Sequence, residues 1–419
     1  MSSAATAGIL PPDAEGPDSG YAWRRLAATL LLSTIGLVGM WSGAVVLPAV
    51  QAEFAVARAG ASLPYTLTMI GFMFGGVLMG RMIDRFGVRI AVIVGTLILG
   101  LGYISAAFAD GIIAFAVIYG ALIGVGCATM FGPLIADATH WFVRRRGVAV
   151  GICACGSYIA GTIWPPVIEH FVATAGWRPT HIGIGVFCLA TMVPLSLALG
   201  RPSPGSGTIR VARETAGTVP RVSSFGIAPN TLQVLLMLAG LSCCVAMAMP
   251  QVHTVAYCVD LGYGSARGAE MLSVMLGFGV VSRLASGWLS DRIGALRTLL
   301  AGAVLQALAL TLYLPFDGLV SLYFVSAVFG LSQGGIVPSY AVLARESFSS
   351  GEIGARIGLI MGATQGGMAL GGWLSGALFD ATGSYQAAMV NGIAWNAITI
   401  AVALWLLWRV RPEPAAARA

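Results

Sequence analysis

Lysine is absent from this 419-residue chain: all 23 basic side chains are arginine. That removes the Schiff-base and phosphate-loop chemistry that depends on a lysine amine. Charge of either sign is scarce at 10% of residues, against roughly 25% in soluble domains. A soluble chain of this length needs far more charge to cover its surface, and a disordered one needs both more charge and less apolar content. What fills the space is apolar: 57% of the residues are hydrophobic. Seven cysteines occur, Cys127, Cys153, Cys155, Cys188, Cys243, Cys244 and Cys258, all in or beside apolar runs and none in a paired spacing with histidine. They read as small packing residues, and no metal site is expected. No dinucleotide or phosphate-loop pattern survives either, so no cofactor is expected.

A helix that crosses a bilayer needs about 20 consecutive apolar residues. Twelve such runs stand between polar or Gly/Pro breaks: 26–50, 61–80, 90–109, 112–138, 147–169, 179–199, 229–253, 268–289, 297–315, 318–344, 353–378 and 385–409. The expected fold is therefore an all-α membrane protein of twelve transmembrane helices. Its expected parts are a tail over 1–25, a six-helix half over 26–200, a Ser/Gly/Pro/Arg-rich linker over 201–228, a second six-helix half over 229–410, and a tail over 411–419. With the N-terminus placed inside, 19 of the 23 arginines fall on inside segments, Arg58, Arg178 and Arg267 outside, and Arg283 within a span. The excess of arginine on one side predicts a multi-pass inner-membrane protein with both termini cytoplasmic. The net charge of +6 is then a topological signal and carries no implication of nucleic-acid binding.

The halves repeat. Gly80-x-x-x-Asp84-Arg85-x-Gly87 after span 2 returns as Gly287-x-x-x-Asp291-Arg292-x-Gly294 after span 8, an offset of 207. Arg146, Gly156 and Gly161 return as Arg356, Gly366 and Gly371, an offset of 210. Two parallel six-helix repeats predict a transporter whose site lies between them near the midplane.

The segment Gly80–Arg89, GRMIDRFGVR, resembles the loop 2–3 signature of the major facilitator superfamily. Gly80 is expected to allow close helix approach, Asp84 to pair with an arginine or a helix N-terminus, Gly87 to permit the turn, and Arg85 and Arg89 to hold the loop in the cytoplasm. Together with Gly287, Asp291 and Arg292 these loops would lock the cytoplasmic side of an outward-open state. Two more segments are similar to signatures of the monocarboxylate transporter family, including its bacterial oxalate/formate branch. One is Pro17–Trp23, with Asp18, Gly20 and Trp23. The other is Trp141–Gly151, with Phe142, Arg145 and Gly151. Ser19 and Trp141 depart from those patterns.

Arg283 lies about four residues from the centre of span 8, roughly 6 Å along the helix axis. A charge at that depth costs at least about 2.5–3.5 kcal/mol and usually faces a cavity on a substrate path. Glu53, Asp137, Glu169, Asp260, Glu270 and Glu346 all fall at span ends, so no acid is expected beside it. An unpartnered guanidinium suits a carboxylate, which it meets bidentately. The family resemblance implies the same role, since its members carry a substrate-binding arginine in helix 8. Proton-coupled animal members also carry an Asp one turn earlier and a Lys in helix 1; here the first position is Gly279 and no lysine exists. Oxalate-type relatives are expected to carry a second cation in helix 11, near which this chain has Gln365. One cation argues for one carboxylate. Tyr119 in span 4 and Gln365 in span 11 are the further candidates for lining the cavity, while His253 reads as a satisfied interfacial residue.

The expected function is thus transport of a small organic anion, most favourably a monocarboxylate, across the lipid bilayer by alternating access, with proton or counter-anion coupling left open. The alternative is efflux of neutral or hydrophobic compounds with Arg283 structural. No paired acids or HExxH pattern lies inside a span, so an intramembrane enzyme is not expected.

Overall fold

A computed structural model describes residues 17–201, 225–349 and 352–409. The expected tails and linker lie mostly outside these residues, and with them Arg210, Arg213, Arg221, Arg411 and Arg418. The described residues are helical, with no strand. Eleven helices are long and apolar enough to cross a membrane: α1 Gly20–Phe54, α2 Arg58–Phe86, α3 Val88–Ala106, α4 Ile112–Trp141, α5 Gly147–Ala175, α6 Trp177–Leu199, α7 Pro229–Asp260, α8 Ser265–Ile293, α9 Ala295–Leu312, α10 Leu319–Ser347 and α12 Tyr385–Arg409. The twelfth, α11 at Ile353–Thr382, is diluted by glycine but is 30 residues long. Those glycines let it close on α7: a methyl group at Gly367 or Gly371 would run into the carbonyl of Leu241 or Val245.

Most helices overrun their apolar runs, because the first and last turns carry the polar groups that meet headgroups and water. α2 extends the 61–80 run to Arg58–Phe86. Glycines in the left-handed region end the turns at matched places in the repeat: Gly87 (φ 84°) with Gly294 (φ 86°), and Gly176 (φ 87°) with Gly383 (φ 70°). Both pairs are 207 residues apart, so the repeat extends beyond the loop motif into backbone conformation.

Three helices are interrupted inside the membrane. α1 breaks at Leu37, α4 holds a π-helical turn at Tyr119–Gly124 and a break before Gly132, and α10 breaks at Gly334–Gly335. Broken helices are tolerated at such depth where protein or a cavity surrounds the freed backbone.

The start of α1 and the end of α6 share one face, called here the linker face: Tyr21 donates to the Ala198 carbonyl and Arg25 to the Arg201 carbonyl. The opposite face closes the two halves together along two seams. On the α2/α11 seam, Asp380 accepts the backbone N–H groups of Arg58 and Ala59, both at 2.8 Å. Farther along it, Gly376 lies against Ala59 and Gly372 against Tyr65, and Thr66 donates to the Ala369 carbonyl. On the α5/α8 seam, Ser265 donates to Glu169 (2.9 Å) and Ser273 to the Thr162 carbonyl, and Leu276 packs on Gly161. Arg58 bridges a third helix by donating to both oxygens of Asp260 at 2.8 and 2.9 Å.

Toward the linker face the seams part. Gly76 and Gly80 on α2, Gly358 and Gly366 on α11, Gly147 and Gly151 on α5, and Gly287 on α8 each have no atom within 4 Å of where a methyl group would sit. The close helix approach expected of Gly80 is therefore not made in this arrangement. The halves touch far from the linker and open toward it.

Candidate functional site

Arg283 stands where the α5/α8 seam opens. The last close contact before it is Gly279, whose missing side chain admits the ring of Tyr158 from α5. One turn on, the Arg283 guanidinium carbon lies 4.7 Å from the centroid of that same ring. A tyrosine of the first half thus fills the position where proton-coupled relatives are expected to hold an acid, and presents its π-face to the cation. The Arg283 Nε is buried without a hydrogen-bond partner, and no carboxylate pairs with Arg283 among the described residues.

Five of the six acids expected at span ends are engaged there. Asp137 pairs with Arg25, Glu53 with Arg178 and Trp177, Glu169 with Ser265, Asp260 with Arg58, and Glu270 with Arg267 and Tyr323. Arg283 is the arginine left over within the membrane.

Gln365 lies on the other seam, on the α11 face that carries Gly362 and Ala369 toward α2. Its Oε1 is also buried without a partner. The repeat relates the two sites: position 365 matches Cys155 on α5 at the offset of 210, and Arg283 matches Gly76 on α2 at the offset of 207. At these matched positions the pseudo-symmetric seams therefore carry one cation between them. Tyr119 is elsewhere. It is fully buried in the first half, its hydroxyl bonded to His181 Nε2 and 3.4 Å from the Ser42 hydroxyl, within rings from Tyr103, Phe115 and Trp177. His253 is satisfied, with Nε2 2.8 Å from the Gly372 carbonyl and Nδ1 3.0 Å from the Tyr385 hydroxyl.

The loop-motif residues Asp84, Arg85, Arg89, Asp291 and Arg292 are exposed and form no ion pair among the described residues. Arg85 lies over Phe86 and Arg292 over Trp288. Gly87 does make the turn expected of it.

The two family-signature segments form one unit. Asp18 accepts the N–H groups of Val143 (3.1 Å) and Arg144 (3.0 Å), and its own N–H donates to the Trp141 carbonyl. The backbone N–H of Arg144, with those of its neighbours, holds the Asp18 carboxyl below its ordinary value of 3.8. Trp23 packs edge-on against Phe142 at 5.1 Å, and Arg145 lies 5.9 Å from the Trp23 centroid. Below them Arg25 and Asp137 form a buried two-bond pair at 2.9 and 3.0 Å. Arg25, which the sequence reading assigned to topology, is 2% exposed. Gly20 and Gly151 face open space. The strap before α1 is thereby tied to the α4–α5 loop.

Comparison with known proteins agrees with this architecture. A family model described as Major Facilitator Superfamily matches residues 29–294 and 268–419. Monocarboxylate transporter 13 of Bos taurus is 28% identical over 90% of this chain and 87% of its own length. Monocarboxylate transporter 11 of Homo sapiens is 25% identical over 91% and 82%. An MFS-type transporter of Gibberella moniliformis is 24% identical over 76% and 74%. Among solved structures, an inward-facing, occupied bacterial homolog of the human lysosomal transporter Spinster superposes with a TM-score of 0.71 at 15% identity, covering 93% of this chain and 98% of that one. With the family model spanning both halves of a twelve-helix bundle that opens to one face, the chain belongs to the Major Facilitator Superfamily and is a transporter, not an enzyme.

Proposed function

We propose that this transporter carries a small organic anion, most favourably a monocarboxylate, by alternating access, and that Arg283 binds the carboxylate. The observation that carries the reading is an arginine at the mouth of the closed seam with a buried, unpartnered Nε and no acid beside it. Arg283 is half-buried with no counter-charge beside it, and an entering carboxylate supplies that charge bidentately. Monocarboxylate transporters among the relatives support this class. Gln365 adds a neutral hydrogen-bonding group on the opposite seam, which favours a monoanion over a dianion.

In this reading the linker face, with its excess of arginine, is cytoplasmic, the membrane is the inner membrane, and the arrangement described is inward-open. Binding neutralises Arg283 and lets the parted seams close. Asp84 and Asp291 then find partners across the cytoplasmic gate while the far-face contacts release. Either a proton travels with the acid or a second anion exchanges at the same arginine.

Uptake of radiolabelled monocarboxylates into vesicles tests the assignment. Arg283→Ala abolishes uptake at unchanged membrane abundance; unaltered uptake refutes it. The fungal relatives include the agnestins efflux protein AgnL12 of Paecilomyces divaricatus, which favours efflux as the second reading, of neutral or hydrophobic compounds with Arg283 structural. Transport indifferent to substrate charge would select it.

A further inference from the structure

The interruption in α10 sits directly behind Arg283. Helical hydrogen bonding stops at Gly334 and Gly335. Across it stands Ser282, the residue before Arg283, which is 6% exposed. Its hydroxyl donates to the Leu331 carbonyl at 2.6 Å and accepts the Gly334 N–H at 3.2 Å. One hydroxyl thus ties the end of the first α10 segment to the first glycine of the break. Gly334 has no room for a side chain, because a methyl group there would be driven into the backbone nitrogen of Arg283 and the side chain of Ser282. At Gly335 a methyl would meet Ser286, one turn along α8. Two glycines therefore let the broken backbone of α10 rest on the backbone that carries Arg283. Beside the break lies an open groove of about 270 Å³ whose lining includes Ser282, Ser286, Thr298, Leu331, Ser332 and Gly335.

We infer that Ser282 and Gly334 are positioning residues: they set where Arg283 stands and tie it to a hinge in α10. The inference rests on the carboxylate-binding role proposed for Arg283. Neither residue touches the substrate. The Ser282 hydroxyl fixes the break, the break fixes the depth of the α8 backbone, and that depth places the guanidinium over Tyr158. A bidentate contact is lost with small displacements, so the consequence is read in substrate affinity before it is read in folding.

The test is uptake of a monocarboxylate such as lactate by full-length protein in proteoliposomes, with KM and Vmax separated and protein quantified in the membrane. Ser282→Ala leaves a buried carbonyl and N–H without their shared partner, and raises KM about tenfold at wild-type abundance. Gly334→Ala, which pushes α10 off Arg283, raises KM at least as much. Gly183→Ala, at an exposed helical glycine with no atom within 4 Å, leaves KM unchanged and controls for helix propensity. Wild-type KM in both Ser282→Ala and Gly334→Ala, while Arg283→Ala abolishes uptake, overturns the positioning role and leaves the carboxylate site standing. A lowered protein yield or melting temperature with KM unchanged also overturns it, because that is what a purely structural contact gives. Intact uptake in Arg283→Ala instead marks the failure of the underlying assignment.

Discussion

Removing Asp380 should release the far face. The carboxylate caps the first turn of α2 in trans, accepting the N–H groups of Arg58 and Ala59 at 2.8 Å from the other half of the molecule. A helix N-terminus leaves its first N–H groups unpaired and carries a partial positive charge, so an anion there satisfies both demands. Replacing an N-capping side chain by alanine costs about 1 kcal/mol, at most about 2. Asp380 is exposed, so solvent screening keeps the effect at the lower end. This contact exists only while the far face is closed, so its whole contribution bears on the equilibrium between closed and open. About 1 kcal/mol shifts that ratio about fivefold. A far-face-open state populated at about one in ten rises to about one in three. Spin labels at Asp110 and Ala381, both exposed on that face and on different halves, report the separation by pulsed dipolar spectroscopy. Asp380→Ala moves weight to the long distance, and Asp380→Asn, which keeps one acceptor oxygen, moves it by less. Identical distance distributions in wild type and Asp380→Ala would refute the latch, whatever happened to transport.

The remaining predictions concern the strap and its pair. Either Arg25→Ala or Asp137→Ala leaves a buried charge unpaired and lowers unfolding stability by about 3–5 kcal/mol, whereas Arg25→Met with Asp137→Leu recovers most of it; thermal melts in detergent check the cycle. Asp18→Asn weakens the tie to the α4–α5 loop. Because the folded Asp18 carboxyl is held below its ordinary value, its contribution is present above about pH 4 and is lost as pH falls through the lowered value. The difference in melting temperature between wild type and Asp18→Asn is therefore constant from pH 8 to about pH 5 and closes in stronger acid. A gap that persists unchanged at pH 2 contradicts the assignment.

Hydropathy made the twelve helices legible because a bilayer imposes one length on each of them, and the 207-residue offset made the duplication legible because turns demand glycine. The contacts between the halves were not legible in the same way. Arg58 counted only as an outside charge, yet it is 6% exposed, bonded to Asp260, and begins the helix that Asp380 caps. Span ends are read one at a time in a sequence, and which ends meet depends on how helices from different halves pack. Tyr119 shows a second limit. Membership of span 4 suggested the cavity, but the π-helical turn at Tyr119–Gly124 adds a residue to one turn, and one residue rotates the facing side by about 100°. Its hydroxyl ends on His181 within the first half.

The asymmetry of the seams is what turns a duplicated scaffold into a site. At matched positions the α5/α8 seam holds Arg283 and Cys155, and the α2/α11 seam holds Gly76 and Gln365. The scaffold can stay pseudo-symmetric because the glycines that end its turns and close its helices recur at one offset. The charge cannot recur without self-repulsion in a low-dielectric cavity. With one cation and no acid beside it among the described residues, the cost of leaving Arg283 unpaired falls, in the proposed reading, on the substrate-free state, and an anion would relieve it. Tyr158 supplies the interim partner: its ring enters through the gap at Gly279 and covers the guanidinium from the opposite half. A cation–π contact of roughly 0.5–2 kcal/mol is strong enough to place the arginine and weak enough for a carboxylate to compete with. Because that ring and that arginine belong to different halves, exchanging one partner for the other would change a contact between the halves, the contact that the proposed rocking must break.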